Sequence, residues 1–365
     1  MSATHEAIVT PGLDQALASI AAAAPELDRA PRFPREAFDA LGAAGALSAT
    51  IGAARDGAPV ASEWALLRRV AAADASVARI LDGHLNAVER LEVAAAPELR
   101  DRELAAIEDD GRLFGVWGAD PRREEGDPAR LHETDAGLVL RGVKTFCSGA
   151  GGVDAAMVMV GRSDGTAPAL VLLDCGEAVE VDRGWYRAAG LRASESHRVV
   201  FRDAPVTAIL GDPGELARDP WFSRDAMRTA ATWAGMVDAA ADSALDTLIT
   251  ARRQEDPLAR LAAGRIEATR ATVDAWLSQA ATAADLCTQR SGGHGGGARG
   301  TSVAMRAEID RAAKAILETA AAACGSHQFV TGGRLDRARR DLETFLLQHR
   351  LDPLLARLGA ERLAR

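Results

Sequence analysis

The stretch LVLRGVKTFCSGA, residues 138–150, decides the fold of this chain. The β-branched Val143 and the aromatic Phe146 are typical of strands, and Gly142 and Gly149 punctuate the run. The pattern predicts a strand, a turn at Gly142, a second strand and a loop of small residues. The stretch is a weak signal by itself, and its setting between two long helical regions gives it weight.

Apolar residues return every three or four positions on both sides of this stretch, which is typical of helices. Before it, residues 12–112 follow the pattern, and the longest segment, 62–95, begins at Ser62, a residue suited to capping a helix. The pair Asp82-Gly83 interrupts that segment and predicts a break or a kink. We therefore expect a set of N-terminal helices that ends near residue 112.

The chain returns to helical spacing beyond residue 217, in three long Ala-rich segments and a fourth stretch. Pro353 requires a break or a restart within the fourth, and a Gly-rich stretch, 291–300, predicts a mobile linker before the third. Low-aromatic, Ala-rich helices also suit contacts between subunits, so an oligomer is expected. The four segments are 229–253, 259–287, 302–324 and 334–359.

Between the helical regions, the chain contains short apolar or alternating runs, each bounded by Gly, Asp or Pro. This spacing predicts antiparallel strands in a small barrel or a two-layer sheet. The expected fold class is therefore α+β. It comprises an N-terminal helical domain (1–112), a middle antiparallel β domain (113–214) and a C-terminal four-helix bundle domain (215–365).

The composition limits the classes of partner that we expect the chain to bind. The 365 residues are 48% hydrophobic and 26% charged, an ordinary globular composition, and the formal net charge is −9. Basic residues are interleaved with acidic ones instead of clustered, so nucleic acid is not an expected partner. A nucleotide-like polyanion is still compatible with a few local arginines and helix N-termini.

The cellular location is predicted from segments that the sequence does not contain. No uncharged run approaches the roughly 20 residues that cross a bilayer, and MSATHEAIVTPG lacks the features of a secretory signal. The four cysteines are scattered without a CxxC pair, so we expect neither a disulfide framework nor a metal site. These observations predict a cytoplasmic protein with reduced thiols and no membrane contact.

The middle region carries the pattern L-x-G-x-K-x-x-x-S/T-x-G/A, here Leu140 to Ala150, between two helical regions. In this layout the chain resembles the acyl-CoA dehydrogenase superfamily over nearly its whole length. The resemblance implies a flavoprotein with FAD as cofactor, which oxidises an acyl thioester or a related substrate at a CH–CH bond by hydride transfer to FAD. It also implies that Ser148 lies beside the flavin ring and that Phe146 replaces a Trp that packs against the flavin in many members.

Other matches extend the resemblance with departures. GVWGADP, residues 115–121, resembles the strand end whose main chain contacts the flavin pyrimidine, which makes Ala119 a cofactor contact and Trp117 either a wall of the site or a core residue. The Gly/Ser-rich loop that contacts the thioester in the family is replaced by RREE. Arg252 stands near the place of an arginine that reaches the flavin diphosphate of a neighbouring subunit. Gly325 corresponds to a Gly-rich turn at the adenine end, and the tetramers of the family imply a dimer or tetramer.

The segment Asp74-Ala-Ser76-Val-Ala-Arg79 and the pair Gly83-His84 resemble the N-terminal helix pair of the family. We expect Asp74 and Ser76 to fix helix packing instead of taking part in chemistry. His84 either faces the substrate cavity or is a satisfied core or surface histidine, and the second interpretation is preferred.

The largest departure from the family is near the C-terminus. In acyl-CoA dehydrogenases an Arg-Asp pair precedes the catalytic glutamate at a fixed spacing, and here Arg340-Asp341 leads to His349 instead. His349, together with Ser148-Gly149, resembles a sister group, the two-component flavin monooxygenases, which take reduced flavin from a partner reductase and use oxygen. A near-neutral imidazole suits acid–base work on a phenolic substrate or a peroxide.

Three functions therefore remain open. The first is an FAD-dependent dehydrogenase with His349 and Ser148 as its catalytic residues, or with a carboxylate base on another helix. The second is a flavin-dependent monooxygenase, and the third is a non-catalytic scaffold or binding protein of the same fold. The expected partners are a small-molecule substrate, for example an acyl-CoA, and an electron acceptor or a flavin reductase. The carboxylate candidates are Asp238, Asp242, Asp246 and Glu255.

Overall fold

The computed structural model describes residues 12–161, 167–215, 218–289, 296–330 and 332–364. In these residues one group of helices precedes the strands and a second group follows them, which confirms the predicted α+β class. The division into domains at residues 112 and 214 stays a prediction. The first group is α1 (Leu13–Arg29), α2 (Arg35–Ala43), α3 (Ala53–Asp56), α4 (Val60–Ala73), α5 (Ala75–Ala94) and α6 (Pro97–Asp110). The second is α7 (Trp221–Thr250), α8 (Pro257–Gln289), α9 (Gly296–Cys324), α10 (Arg334–Leu346) and α11 (Leu351–Leu363).

The strands form two four-stranded sheets in the described part of the chain. They are β1 (Phe114–Trp117), β2 (Arg130–Thr134), β3 (Gly137–Cys147), β4 (Ala155–Val160), β5 (Ala169–Asp174), β6 (Val179–Asp182), β7 (His197–Pro205) and β8 (Ala208–Leu210). The strand orders are β1-β4-β5-β8 and β2-β3-β7-β6. The prediction of antiparallel strands was wrong for one pair, since β1 and β4 run parallel. The chain leaves the first sheet after β1 and returns to it only at β4, and such a long crossover permits parallel pairing.

Gly142 lies inside β3, so the predicted turn at this position was wrong. The strand continues through an irregular register at Gly142, whose φ is 114°. A Cβ atom at this position would lie 2.7 Å from the carbonyl oxygen of Pro128. Glycine therefore allows a bulge, and the neighbouring segment packs directly against the strand backbone.

The break in the long N-terminal helical segment is at Asp74, and not at Asp82-Gly83 as predicted. The Asp74 side chain caps α5 by accepting a hydrogen bond from the Val77 N–H at 2.9 Å. Asp82 does not compete for the helix backbone, because its carboxylate accepts hydrogen bonds from side chains of Arg79 and Thr229. Likewise Ser62 is not a cap, since α4 begins at Val60.

A buried ion cluster joins the N-terminal helices to α7. Arg228 of α7 is 1% exposed, and its guanidinium hydrogen-bonds to Glu63 of α4 and, at 2.7 Å, to Glu89 of α5. Arg224 also donates to Glu89 at 2.6 Å. Burial alone would raise the pKa of Glu89, but the charges of Arg228, Arg224 and Arg90 hold it well below its usual range. The side chains of the cluster are therefore ionised, and their attraction fixes α5 beside α7.

The predicted restart at the C-terminus is confirmed, and it decides where His349 lies. Helix α10 ends at Leu346 and α11 begins at Leu351, so that Pro353 occupies the first turn of the new helix. His349 therefore lies in the short connection between the two helices, which frees its side chain from helical packing.

Two further expectations concern the linker and the membrane. The Gly-rich stretch 291–300 falls in part on residues 290–295, which lie outside the described residues, and α9 begins at Gly296. Among the residues with assigned positions, every helix is too short or too polar to cross a bilayer.

The close contact at Gly142 can be separated from its backbone angle by a matched variant. Gly137 has a similar φ of 116° but has nothing within 4 Å of its Cβ position. We expect Gly142→Ala to lower the free energy of unfolding more than Gly137→Ala does, by about 1–3 kcal/mol, because only the first adds a steric clash to the strain. Urea denaturation of the three proteins measures the difference, and equal losses would contradict the close contact.

Candidate functional site

Ser148 begins a row of hydroxyl groups at the end of β3. Its Oγ lies 2.9 Å from the Oγ of Ser196, which lies 2.7 Å from the Oγ of Ser194. The nearby phenol of Tyr186 donates a hydrogen bond to the Gly190 carbonyl at 3.3 Å, and burial raises the pKa of Tyr186 to about 12. We call Ser148, Ser196 and Ser194 the hydroxyl row. Hydroxyls both donate and accept, so Ser148 can exchange its bond to Ser196 for a bond to a ligand.

Lys144 positions the strand end that precedes the hydroxyl row. Its side chain is buried, and its Nζ donates hydrogen bonds to the Gly118 carbonyl at 3.1 Å and to Asp120 at 2.6 Å. The main-chain N–H of Thr145 donates to the carbonyl of Ala119 at 3.0 Å. Through these bonds residues 118–120, which are exposed, lie alongside the end of β3, and the contact of Ala119 with a flavin stays a prediction.

Trp117 supports the loop that carries Ser148. The indole is 1% exposed, donates a hydrogen bond to the Ser148 carbonyl at 3.0 Å and packs against Phe201. This placement favours the core interpretation of Trp117 over a wall that contacts the cofactor.

Phe146 has the opposite environment to Trp117. Its side chain is 58% exposed, and its backbone has a φ of 52°, in the left-handed region that a bulky residue rarely adopts. The ring packs edge-on against Trp185, with 4.9 Å between the ring centroids. An exposed aromatic ring on a strained backbone, packed on the half-buried Trp185 and two residues before Ser148, is typical of a ligand-binding surface.

His349 is held in one protonation state by its neighbours. Arg306 donates a hydrogen bond from Nη1 to His349 Nδ1 over 3.2 Å, and a guanidinium has no acceptor, so the neutral ring carries its proton on Nε2. Burial, and after it the charges of Arg306 and Arg79, lowers the pKa of His349 to about 4. The Nε2 atom is buried and has no hydrogen-bond partner among the described residues. His349 therefore offers an unused N–H donor at neutral pH.

Four residues surround His349 and complete what we call the His349 cluster, which consists of His349, Arg306, Ser302, Trp233 and Phe345. The Trp233 ring lies 5.3 Å from the imidazole and 6.1 Å from the Phe345 ring. Arg306 is 3% exposed and donates to the main-chain carbonyl of Ser302 at 3.1 Å. The Ser302 hydroxyl and the Trp233 N–H, like His349 Nε2, are buried without a partner in the described structure.

Arg79 of α5 lies in electrostatic range of both halves of the site. Its guanidinium lies 5.5 Å from the centre of the Phe345 ring, and its charge lowers the pKa of His349 and of Tyr186. Its carboxylate partner is Asp82, at 3.0 Å, whose pKa burial raises to about 6. Ile80, the next residue of α5, lies 3.2 Å from a Cβ atom built at Gly149, so α5 contacts both the loop that carries Ser148 and, through Arg79 and Phe345, the His349 cluster.

His84 is a core histidine, in line with the preferred interpretation. Its Nδ1 accepts from the Phe114 N–H at 3.2 Å, and its Nε2 lies 3.0 Å from the Leu47 carbonyl. Burial lowers its pKa to about 4, so the ring is neutral. Both nitrogens are used, and His84 links α5 to β1 instead of facing a ligand.

Arg252 and Gly325 lie at the other end of the helical bundle. Arg252 is exposed just beyond α7, and the neighbouring Arg253 donates to the Ala323 carbonyl at 2.6 Å, which brings this turn close to Gly325. The end of α7 is about 25 Å along the helix from Trp233, at about 1.5 Å per residue. The cofactor role of both residues stays a prediction, and for Arg252 the sequence resemblance implies the flavin of a neighbouring subunit.

The four alternative carboxylates are engaged by arginines. Asp238 bonds to Arg68 at 2.6 Å, and the other three pair with Arg270, Arg334 and Arg260. Asp341, of the Arg-Asp pair, is buried and accepts from the Leu191 N–H at 2.6 Å. These contacts indicate structural roles. The four carboxylates are Asp238, Asp242, Asp246 and Glu255.

Arg306 and Trp233 belong to no motif of the sequence, and Asp82 was expected at a helix break. Each lies within a long helix whose periodicity gives no sign of a site. One signal was available for Arg306, which is an arginine set among small and apolar residues in TSVAMRAEI.

The structure is similar to solved structures over nearly the whole chain, and the first two named below contain FMN. FMN-bound TdsC from Paenibacillus sp. A11-2 matches with a TM-score of 0.84 and 19% identity, over 95% of this chain and 96% of that chain. KijD3, in complex with FMN and a dTDP-amino-keto sugar, matches with a TM-score of 0.85 and 24% identity, over 98% and 95%. MsuC from Pseudomonas fluorescens, a methanesulfinate monooxygenase, matches with a TM-score of 0.84 and 20% identity, over 98% of this chain and 97% of that chain.

These likenesses confirm the acyl-CoA dehydrogenase fold that the sequence resemblance implied. No protein-family model and no curated protein matches the sequence. The chemistry of the site therefore has to be argued from its own residues.

The bond between Arg306 and His349 has a measurable consequence for the imidazole. We expect Arg306→Gln to raise the pKa of His349 from about 4, because one of the two nearby positive charges is removed, while burial keeps it below 6.5. An NMR titration of the His349 ring measures this, with Arg311→Gln as a control on the exposed face of the same helix. An unchanged pKa in Arg306→Gln would mean that the two side chains are not in contact in solution.

Proposed function

We propose that this protein is a flavin-dependent oxidoreductase, and more specifically a monooxygenase that uses reduced FMN and oxygen to oxidise a small molecule. The observation that carries the proposal is the state of His349. In the acyl-CoA dehydrogenases that the sequence resembles, the catalytic glutamate stands at this place, whereas here a neutral imidazole presents an N–H donor. A hydrogen-bond donor stabilises an oxygen atom that gains negative charge, which is what oxygen transfer requires.

The proteins of similar structure support this choice of chemistry. TdsC is a dibenzothiophene monooxygenase and binds FMN, and MsuC is a methanesulfinate monooxygenase. KijD3 also binds FMN, together with a sugar nucleotide. We therefore propose FMN instead of the FAD that the sequence resemblance implied.

The residues at the end of β3 fit a flavin ring. Phe146 offers an exposed aromatic ring that packs on the half-buried Trp185, and Ser148, two residues further on, has a hydroxyl whose present partner is another hydroxyl. In our proposal the aromatic pair packs on the ring, Ser148 hydrogen-bonds to a ring nitrogen, and the Ala119 main chain contacts the polar edge. The phosphate would be held by the partner subunit's Arg252, which makes a homo-oligomer part of the proposal.

In the proposed reaction, the flavin supplies the electrons that activate oxygen. Ser148 exchanges its hydrogen bond to Ser196 for one to the flavin ring, which fixes the position of that ring. His349 donates its Nε2–H to an oxygen atom. The hydrogen bond from Arg306 to Nδ1 keeps the imidazole in the tautomer that carries its proton on Nε2. Trp233 and Phe345 exclude water from this side of the site. We propose that a separate flavin reductase delivers the reduced cofactor.

Asp82 favours a second candidate function, the dehydrogenase. It is a buried carboxylate beside Arg79, with a pKa raised to about 6, so it is ionised at neutral pH and basic enough to take a proton from an activated carbon. In that case Asp82, and not His349, is the base. Anaerobic addition of acyl-CoA esters of several chain lengths to the FAD-loaded protein would then bleach the flavin absorbance.

The two candidates make different predictions for cofactor binding. We expect reduced FMN to bind at least 10-fold more tightly than oxidised FMN, and substrate oxidation to incorporate one atom from ¹⁸O₂. Anaerobic fluorescence titration and mass spectrometry of the product measure these quantities. Tight binding of oxidised FAD, with bleaching by an acyl-CoA ester, would replace the monooxygenase by the dehydrogenase. Binding of neither flavin in either redox state would contradict both enzymes and leave the scaffold.

The donor role of His349 makes a prediction about substitutions and pH. We expect His349→Leu to lower turnover by about 10²–10³-fold and His349→Gln, which keeps an N–H, to lower it less. Since the pKa of His349 is about 4, the wild-type rate should show no inflection from this residue between about pH 5 and 8. His327→Gln, at an exposed histidine, is the control. Two results would instead assign proton transfer to this residue. One is that His349→Leu and His349→Gln turn over equally slowly. The other is an inflection of the wild-type rate near pH 6.5 that His349→Gln abolishes.

A further inference from the structure

Arg306 is a buried cation without a buried counter-ion. Among the residues that the structure describes, no carboxylate lies within 4.0 Å of it, and its partners are the Ser302 carbonyl and a neutral imidazole. Burial lowers the pKa of Arg306, and only the more distant Asp225 opposes that effect. Arg228, equally buried, shows what such a charge ordinarily requires, since it contacts Glu63 and Glu89.

The groups around Arg306 share one deficiency, which is a lack of acceptors. The Trp233 N–H can only donate, and the tautomer of His349 makes its Nε2 a donor as well. The Ser302 hydroxyl, one helical turn before Arg306, is also buried and unpartnered in the described structure. Buried donors without acceptors are costly, so they indicate a ligand that brings acceptor atoms with it.

We infer that Arg306, His349, Trp233 and Ser302 form an oxyanion subsite that binds a carboxylate, sulfinate or phenolate group of the substrate. This inference rests on the proposed function and names the substrate class for it. A guanidinium and two N–H donors recognise an oxyanion by charge and by hydrogen bonds, and the rings of Trp233 and Phe345 accommodate an apolar body attached to it. A neutral substrate leaves the cation unpaired and binds weakly.

The same chemistry would also suit the phosphate of a flavin, and the test must separate the two sources. In the phosphate case, loss of Arg306 weakens FMN itself. In the substrate case, FMN affinity is independent of Arg306, and only small organic anions lose affinity.

Isothermal titration calorimetry on the flavin-free protein is the first test, with two pairs of probes that differ in charge but not in shape. The pairs are benzoate with benzamide and acetate with acetamide. We expect wild type to prefer the anion in at least one pair by 10-fold or more, Arg306→Gln to lose that preference, and Arg311→Gln, at a 71% exposed side chain on the same helix, to keep it.

Each outcome decides the inference. No preference for the anion in either pair for wild type, or an equal preference in Arg306→Gln, overturns it. A 10-fold loss of FMN affinity in Arg306→Gln with unchanged benzoate binding overturns it in favour of the cofactor phosphate. Since these titrations need no turnover, failure of the proposed oxygen chemistry leaves their result intact, and failure of the subsite leaves the flavin-binding test intact.

Arg306→Lys guards against a variant that does not fold. Lysine retains the charge but not the planar fork, so we expect it to retain part of the anion preference. Thermal melts add an independent readout. Because Arg306→Gln removes an unpaired buried charge, it should melt no lower than wild type without ligand, and benzoate should raise the melting temperature of wild type alone. A melting temperature raised by benzoate to the same extent in both proteins contradicts the subsite.

Discussion

The guanidinium of Arg228 is the contact on which the arrangement of the helices depends. It has no access to solvent, and it bridges Glu63 of α4 and Glu89 of α5 from its own position in α7. Breaking a buried pair of this kind typically costs about 3–5 kcal/mol, because the remaining charge is left uncompensated. The geometry of the two glutamates therefore fixes α5 against α7, and with it the positions of Arg79 and Asp82 relative to Trp233.

The parts of the site that follow from local chemistry could be predicted from the sequence. The restart that Pro353 imposes puts His349 in a connection, and Ser148 follows a recognisable strand end. The position of Gly142 was recognised but its role was not, because a bulge and a turn both need glycine and only the neighbouring backbone distinguishes them. The burial of Arg306 could not be predicted in spite of its apolar neighbours in the sequence. An arginine in a long helix ordinarily faces water, and the burial of this one depends on where α10 and α11 dock.

Two buried arginines have opposite roles in this fold. Arg228 is compensated by carboxylates and contributes to stability, whereas Arg306 is compensated only by dipoles and keeps a positive potential inside the protein. Natural sites commonly retain such locally unfavourable groups, because a group that is fully satisfied by the protein has nothing left to offer a ligand. The same reasoning applies to the strained, exposed Phe146.

The residues around His349 come from segments that are far apart in the chain. Arg79, Trp233 and Arg306 lie on three different helices, Ser148 lies at a strand end, and His349 lies in the connection between α10 and α11. Contacts of such long sequence separation form late, because the chain must lose the entropy of closing large loops before the contacts contribute any stabilisation. A chain in which α10 has not docked therefore lacks the contacts of His349 with Arg306 and Trp233, and with them the donor array and its aromatic neighbours.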